Sequence, residues 1–131
     1  LGLTCEEEIK KLPPFEGKSS DEILRTLDSE NFYMIRNTDK SQVFAKYTSD
    51  DNMYAVVRID KGDSILPEGH AGHVDHAHKE TTTDFKVKNN AGYTKRSTKY
   101  SDQGEISNDH QQTHIPIIIN TPSNYEYRNT L

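Results

Sequence analysis

The stretch EGHAGHVDHAHKE, residues 68–80, holds four of the six histidines in the chain: His70, His73, His76 and His78. Imidazole titrates near neutral pH and is a frequent metal ligand. Four imidazoles this close together offer a metal site, a general acid–base pair or a polar loop. If the segment is extended, His76 and His78 share a face, because side chains alternate along a strand. A further histidine, His114, follows Thr113 at the start of the apolar run IPIII.

Metal signatures are weak. The helical pattern HExxH and the hydrolase pattern HxHxDH are both absent, and Cys5 is the sole cysteine, which excludes a cysteine-based zinc site and an internal disulfide. A site without metal or cofactor is therefore expected. Acid–base chemistry suits the residue types better. Cleaving RNA by attack of the 2′ hydroxyl needs one group to take the 2′ proton and another to protonate the 5′ oxygen. It also needs a cation to steady the charged phosphorane. His78 and His114 are the candidate pair, with His76 and Thr113 positioning them. Arg58, in the otherwise apolar run MYAVVRID, must meet a carboxylate or a binding surface. The net charge of −5 argues against nucleic acid, but residues 85–101 contain no acid. That window carries Lys86, Lys88, Lys95, Arg96 and Lys99 with Tyr93 and Tyr100. Screening keeps such a patch local, so it and Lys79 are candidate RNA contacts. His70 and His73, set among glycines, read as loop residues, and His110 in SNDHQQ reads as exposed. Cys5 lies in an acidic segment that raises its pKa and makes it a poor nucleophile.

These residues need a frame. Residues 1–12 read as a short acidic helix or arm stopped by Pro13–Pro14. Ser19 with Glu22 forms a capping box, and Ile23, Leu24 and Leu27 follow at helical spacing, predicting a helix over 20–29. FYMIR (32–36), QVFAKY (42–47) and MYAVVRID (53–60) read as strands separated by the turn clusters NTDKS and TSDDN. A Gly/Pro loop spans 61–73. Strands are expected within HVDHAHKE (73–80), in DFKVK (84–88) and in THIPIIIN (113–120), where Pro116 marks an edge or bulge. The expectation is one α+β domain over 1–131, with an arm at 1–14, a core at 15–120 and a polar tail at 121–131 that wraps the surface. Its N-terminal helices precede a mainly antiparallel sheet. No run of 18 apolar residues is present, so no membrane insertion is expected.

The order PPFEGKSSDEILRTLDSENF, FYMIRNTDKSQVFAKY, MYAVVRID, HVDHAHKE and THIPI resembles C-terminal ribonuclease toxin domains of bacterial polymorphic and contact-dependent growth inhibition systems, over roughly residues 12–119. The resemblance implies the barnase–EndoU–colicin–RelE-like fold, with N-terminal helices followed by a curved, mainly antiparallel sheet, and a metal-independent endoribonuclease. It implies an RNA substrate, tRNA among the candidates, and a cognate immunity protein. It also implies secretion or delivery within a larger bacterial protein and action in the target-cell cytoplasm. A start at Leu1 fits such an excised piece. The histidine motif carries over to His76 and His78, the last-strand histidine to His114 with Thr113, and the preceding basic residue to Arg58. The EndoU-like branch has two histidines, then a lysine and a Ser/Thr, here His73 or His78, Lys95 or Lys99 and Ser97 or Thr98, but the aromatic–proline sequence that normally comes after them is absent. Two other classes stay open: an acidic immunity or interaction domain without catalysis, and a metal-dependent nuclease with His73, His76, His78 and Glu80 as ligands.

Overall fold

The computed structural model describes residues 2–83 and 97–130. Helix α1 covers Cys5–Lys11, where Thr4 and Glu7 close a reciprocal capping box. It stops before Pro13–Pro14, as proline requires. Helix α2 covers Ser20–Ser29; Ser19 Oγ accepts from Glu22 N at 3.3 Å, and Ile23, Leu24 and Leu27 form its buried face. The expected helix over 20–29 is thus present.

Strands β1 (Tyr33–Asn37), β2 (Ser41–Thr48) and β3 (Met53–Asp60) form an antiparallel meander. Strand β4 (His76–Thr82) continues it. β5 (Thr98–Tyr100) and β6 (Ile115–Pro116) both pair with β4, giving a six-stranded, open, curved antiparallel sheet in an α+β fold. Phe44, Ala55, Val57, Ile59, Ala77, Tyr100 and Ile115 line one face and pack against Ile9, Phe15, Ile23, Leu24 and Leu27. Alternation sends their neighbours to the other face. There Val43, Ala45 and Val56 form a small apolar cluster next to Arg58, Asp60, His76 and His78.

The late segment departs from expectation. THIPIIIN does not form a long strand: His110–Thr113 is a short helix, α3, capped by Asp109, and only Ile115–Pro116 pair with β4. Pro116 has no N–H to extend the ladder, and the chain passes instead to the 17–20 segment. Gly17 N donates to Pro116 O at 2.9 Å and Ser20 N to Ile118 O at 2.7 Å. The expected strand at 84–88 lies outside the described residues. Loop 61–75 is held by a close backbone approach. A Cβ on Gly62 would lie 2.4 Å from His73 O, and Gly62 N donates to Asp75 Oδ1 at 2.8 Å. No helix among the described residues is long and apolar enough to cross a membrane.

Candidate active site

Strand register builds the site. On β3 and β4, Asp60 faces His76 and Arg58 faces His78. All four side chains leave the sheet on the face opposite the core, because each lies two residues from the next on its strand. His114 arrives from elsewhere in the chain. Ile115 is buried in the core and pairs with Ala77, so His114, one residue earlier, turns to the histidine face. The ring centroids of His76 and His78 are 4.9 Å apart, those of His76 and His114 4.8 Å, and those of His78 and His114 4.5 Å. His110 stacks on the outer side of His114, centroids 5.6 Å apart.

Two of the three tautomers follow from hydrogen bonding. His76 Nδ1 lies 2.7 Å from Val74 O and His114 Nδ1 lies 2.8 Å from His110 O. A carbonyl can only accept, so each Nδ1 carries the proton and donates. In the neutral ring that leaves Nε2 with a lone pair. His78 Nε2 is buried with no hydrogen-bond partner among the described residues. The carboxylate of Asp60 sits between the elements, with Oδ2 3.7 Å from His76 Nε2 and 3.6 Å from His78 Nε2. Arg58 Nε donates to the same Oδ2 at 2.7 Å, and Ser41 Oγ donates to Oδ1 at 3.0 Å.

The electrostatics follow from crowding. Burial first, then the charges of Arg58, His76, His114 and Lys99, push His78 from 6.5 down to about 2. Its ring is therefore neutral at physiological pH. His114 is half-buried and is lowered too, by burial first and by His76, His110 and Arg58, against the opposing bond to His110 O. A cleft beside His114 is lined by Gln111, Gln112, Ser101, Asp102 and Glu16.

Several expected site residues take other roles. Lys79 is not an RNA contact. It points to the core face, 1 % exposed, with Nζ 3.1 Å from Asp102 Oδ1, donating to Pro13 O and Asp102 O, and 4.4 Å from the Phe15 ring centroid. Alternation explains the error: β4 sends His78 and Lys79 to opposite faces. Tyr100 is buried beneath the sheet with its hydroxyl 3.2 Å from Thr81 Oγ1, so it is no base-stacking residue. Lys99 does project from the histidine face, opposite Glu80, and is exposed. Lys86, Lys95, Arg96 and Tyr93 lie outside the described residues. Thr113 is buried at the end of α3, its N–H bonded to Asp109 O at 3.0 Å, and it sets the turn that presents His114. His70 and His73 are loop residues as expected: Gly72 N donates to His70 Nδ1 at 3.0 Å, and His73 Nδ1–H donates to Leu66 O at 2.7 Å. The ligand set of His73, His76, His78 and Glu80 is therefore not assembled. Glu80 is buried and accepts from Ser97 Oγ at 2.9 Å.

Sequence reasoning missed Asp60 as a site residue. The signal was available: Arg58 requires a carboxylate, and the nearest one on the same strand face is two residues on. It also missed Tyr47 and Tyr54, a cross-strand pair with centroids 5.2 Å apart on the histidine face.

Comparison with protein families, with curated proteins and with solved structures finds no match to this chain. The site therefore has to be judged by its own chemistry.

Proposed function

We propose that this domain is an endoribonuclease that cleaves RNA by histidine general acid–base catalysis, without a metal, through attack of the 2′ hydroxyl. The observation that carries the proposal is the convergence of His76, His78 and His114, with ring centroids 4.5 to 4.9 Å apart, beside the cation of Arg58. A polar cluster with an unbonded buried nitrogen costs stability. Three imidazoles gathered at that cost around one carboxylate and one guanidinium argue for use rather than architecture, and against a purely structural interaction domain.

His76 and His114 are the proton-transfer pair. Each anchors Nδ1–H to a carbonyl and directs the chemistry to Nε2. One Nε2 takes the 2′ proton as the 2′ oxygen attacks phosphorus. The other imidazole, protonated, gives its proton to the departing 5′ oxygen. The products are a 2′,3′-cyclic phosphate and a 5′ hydroxyl. His78, which stays neutral, positions the pair instead of transferring the proton, so His76 takes the part the sequence suggested for His78. Arg58 balances the extra negative charge of the phosphorane. Asp60 orients Arg58. Lys99 supplies further positive charge on the same face, and Tyr47 with Tyr54 offers a surface on which bases stack. Delivery within a larger bacterial protein, action in a target-cell cytoplasm and a cognate immunity protein belong to the same proposal and rest on the sequence resemblance.

The test is incubation of untagged protein with total RNA in EDTA, then analysis of product ends. Cleavage leaving 2′,3′-cyclic phosphates is expected. It should fall by about 10²- to 10⁴-fold in both His114→Ala and His76→Ala. Wild-type rates in both variants would overturn the assignment, as would cleavage of an all-2′-deoxy substrate.

A further inference from the structure

The three imidazoles have a property that acid–base chemistry alone does not use. One ligand nitrogen from each of His76, His78 and His114 can be chosen so that all lie within 4.8 Å of one another. A tetrahedral zinc site spaces its nitrogens by roughly 3.3 Å, from bonds of about 2.0–2.1 Å. Binding an ion requires the rings to turn so that this gap closes. The surroundings fit a metal too. Metal-bound histidines commonly donate their second nitrogen to a carbonyl or carboxylate, which fixes the ring and raises its basicity. His76 does so to Val74 O and His114 to His110 O. His78 Nε2, buried and unbonded, is a donor atom in search of a partner. The Asp60 carboxylate, 3.6 and 3.7 Å from two of the Nε2 atoms, offsets the charge of Arg58 that would otherwise repel a cation.

We infer that His76, His78 and His114 bind a borderline-soft divalent cation such as Zn²⁺ through imidazole nitrogen, and that the bound cation switches cleavage off. Imidazole sets favour Zn²⁺, Ni²⁺ and Cu²⁺ over Mg²⁺, which prefers oxygen ligands. Inhibition follows because the metal occupies the Nε2 lone pairs that proton transfer requires. The binding half stands on geometry alone; the inhibitory half rests on the proposed acid–base chemistry.

The experiment uses untagged protein in metal-depleted buffer. Co²⁺ is titrated first and monitored by its visible absorption; Zn²⁺ is then added to displace it. RNA cleavage is measured in parallel with and without a stoichiometric amount of Zn²⁺. The expected result is stoichiometric Co²⁺ binding displaced by Zn²⁺, lost in His114→Ala, kept in His110→Ala, and cleavage abolished by Zn²⁺ and restored by EDTA. His114 is half-buried at the end of a short helix, so its alanine variant should fold; far-UV circular dichroism checks this. Absence of binding, or binding retained in His114→Ala, overturns the metal site while EDTA-resistant cleavage leaves the acid–base proposal standing. Binding with faster cleavage overturns the switch, and overturns the metal-free proposal as well where EDTA abolishes cleavage. Binding without any cleavage by the metal-free protein overturns the switch and the acid–base proposal but leaves the site.

Discussion

At the scale of single residues, the site is a checkerboard of Arg58, Asp60, His76 and His78 written by strand register, completed by His114 from a distant turn. Each neighbour sets the state of another. Arg58 helps hold His78 neutral, Asp60 holds Arg58, and carbonyls fix the tautomers of His76 and His114. Arg58 is also where transition-state charge would be met. Arg58→Gln removes that charge while keeping much of the volume, and it leaves Asp60 bonded to Ser41 Oγ. The expected outcome is a loss of about 10²–10³-fold in kcat with little change in KM. Steady-state kinetics on a short RNA would read this; a change confined to KM would mean that Arg58 binds the ground-state phosphate instead.

At the scale of elements, β4 is the strand on which the site depends. Its histidines face the site, its Ala77 faces the core, and besides β3 it pairs with β5 and β6, two short strands from later in the chain. β6 is short because Pro116 ends the ladder, and backbone bonds from the 17–20 segment clamp Pro116 and Ile118. The tail is held by α2. Asp28 accepts from Tyr125 Oη at 2.6 Å, from Arg128 N at 2.9 Å, and from Asn129 N and Nδ2 at 3.1 and 2.8 Å. Burial alone would raise the Asp28 pKa, but these donors outweigh it and hold it below the usual carboxylate value. A carboxylate depressed in the folded state stabilises the fold above its unfolded pKa, near 4, and that stability is lost as pH falls through the folded value. Asp28→Asn should cost about 2 kcal/mol at neutral pH. Its stability should also fall less steeply below pH 4 than that of the wild type. Urea unfolding at several pH values measures both, and parallel pH profiles for the two proteins would rule out Asp28 as the source.

At the scale of the whole molecule, Lys79 joins the parts. Its buried ammonium ties β4 to Pro13 O in the linker between α1 and α2 and to Asp102 beyond β5, while Asp102 in turn accepts from Phe15 N at 2.7 Å and Glu16 N at 3.0 Å. Burial lowers the lysine's pKa and the Asp102 carboxylate opposes that shift. Removing one partner of such a buried pair leaves the other charge unpaired, so Lys79→Met should destabilise the protein by about 3–5 kcal/mol. Thermal unfolding tests this. The same variant, assayed below its melting temperature, should bind RNA as the wild type does, whereas a residue that contacted RNA would show weaker binding. The tail contributes at this scale as well: Tyr127 Oη donates to Phe32 O at 2.6 Å and Thr130 bridges Met34, so the last residues cover the end of the sheet.

The sequence by itself determined the elements from α2 through β3. The capping residue Ser19, the proline stop at Pro13–Pro14, and the period-two runs from Tyr33 to Asp60 are local signals, and local backbone chemistry is enough to read them. It also placed His76 and His78 on one face and marked His70 and His73 as loop residues. Tertiary structure alone decided the rest. Which face of β4 meets the core depends on pairing with β3 and Ile115, and that choice buried Lys79 and Tyr100 while exposing Lys99 on the histidine face. Asp60, legible as the partner of Arg58, met His76 and His78 only through cross-strand register, and His114 joined through a chain reversal after α3. Contacts between residues dozens of positions apart are set by packing of the whole chain, and no spacing in the sequence encodes them.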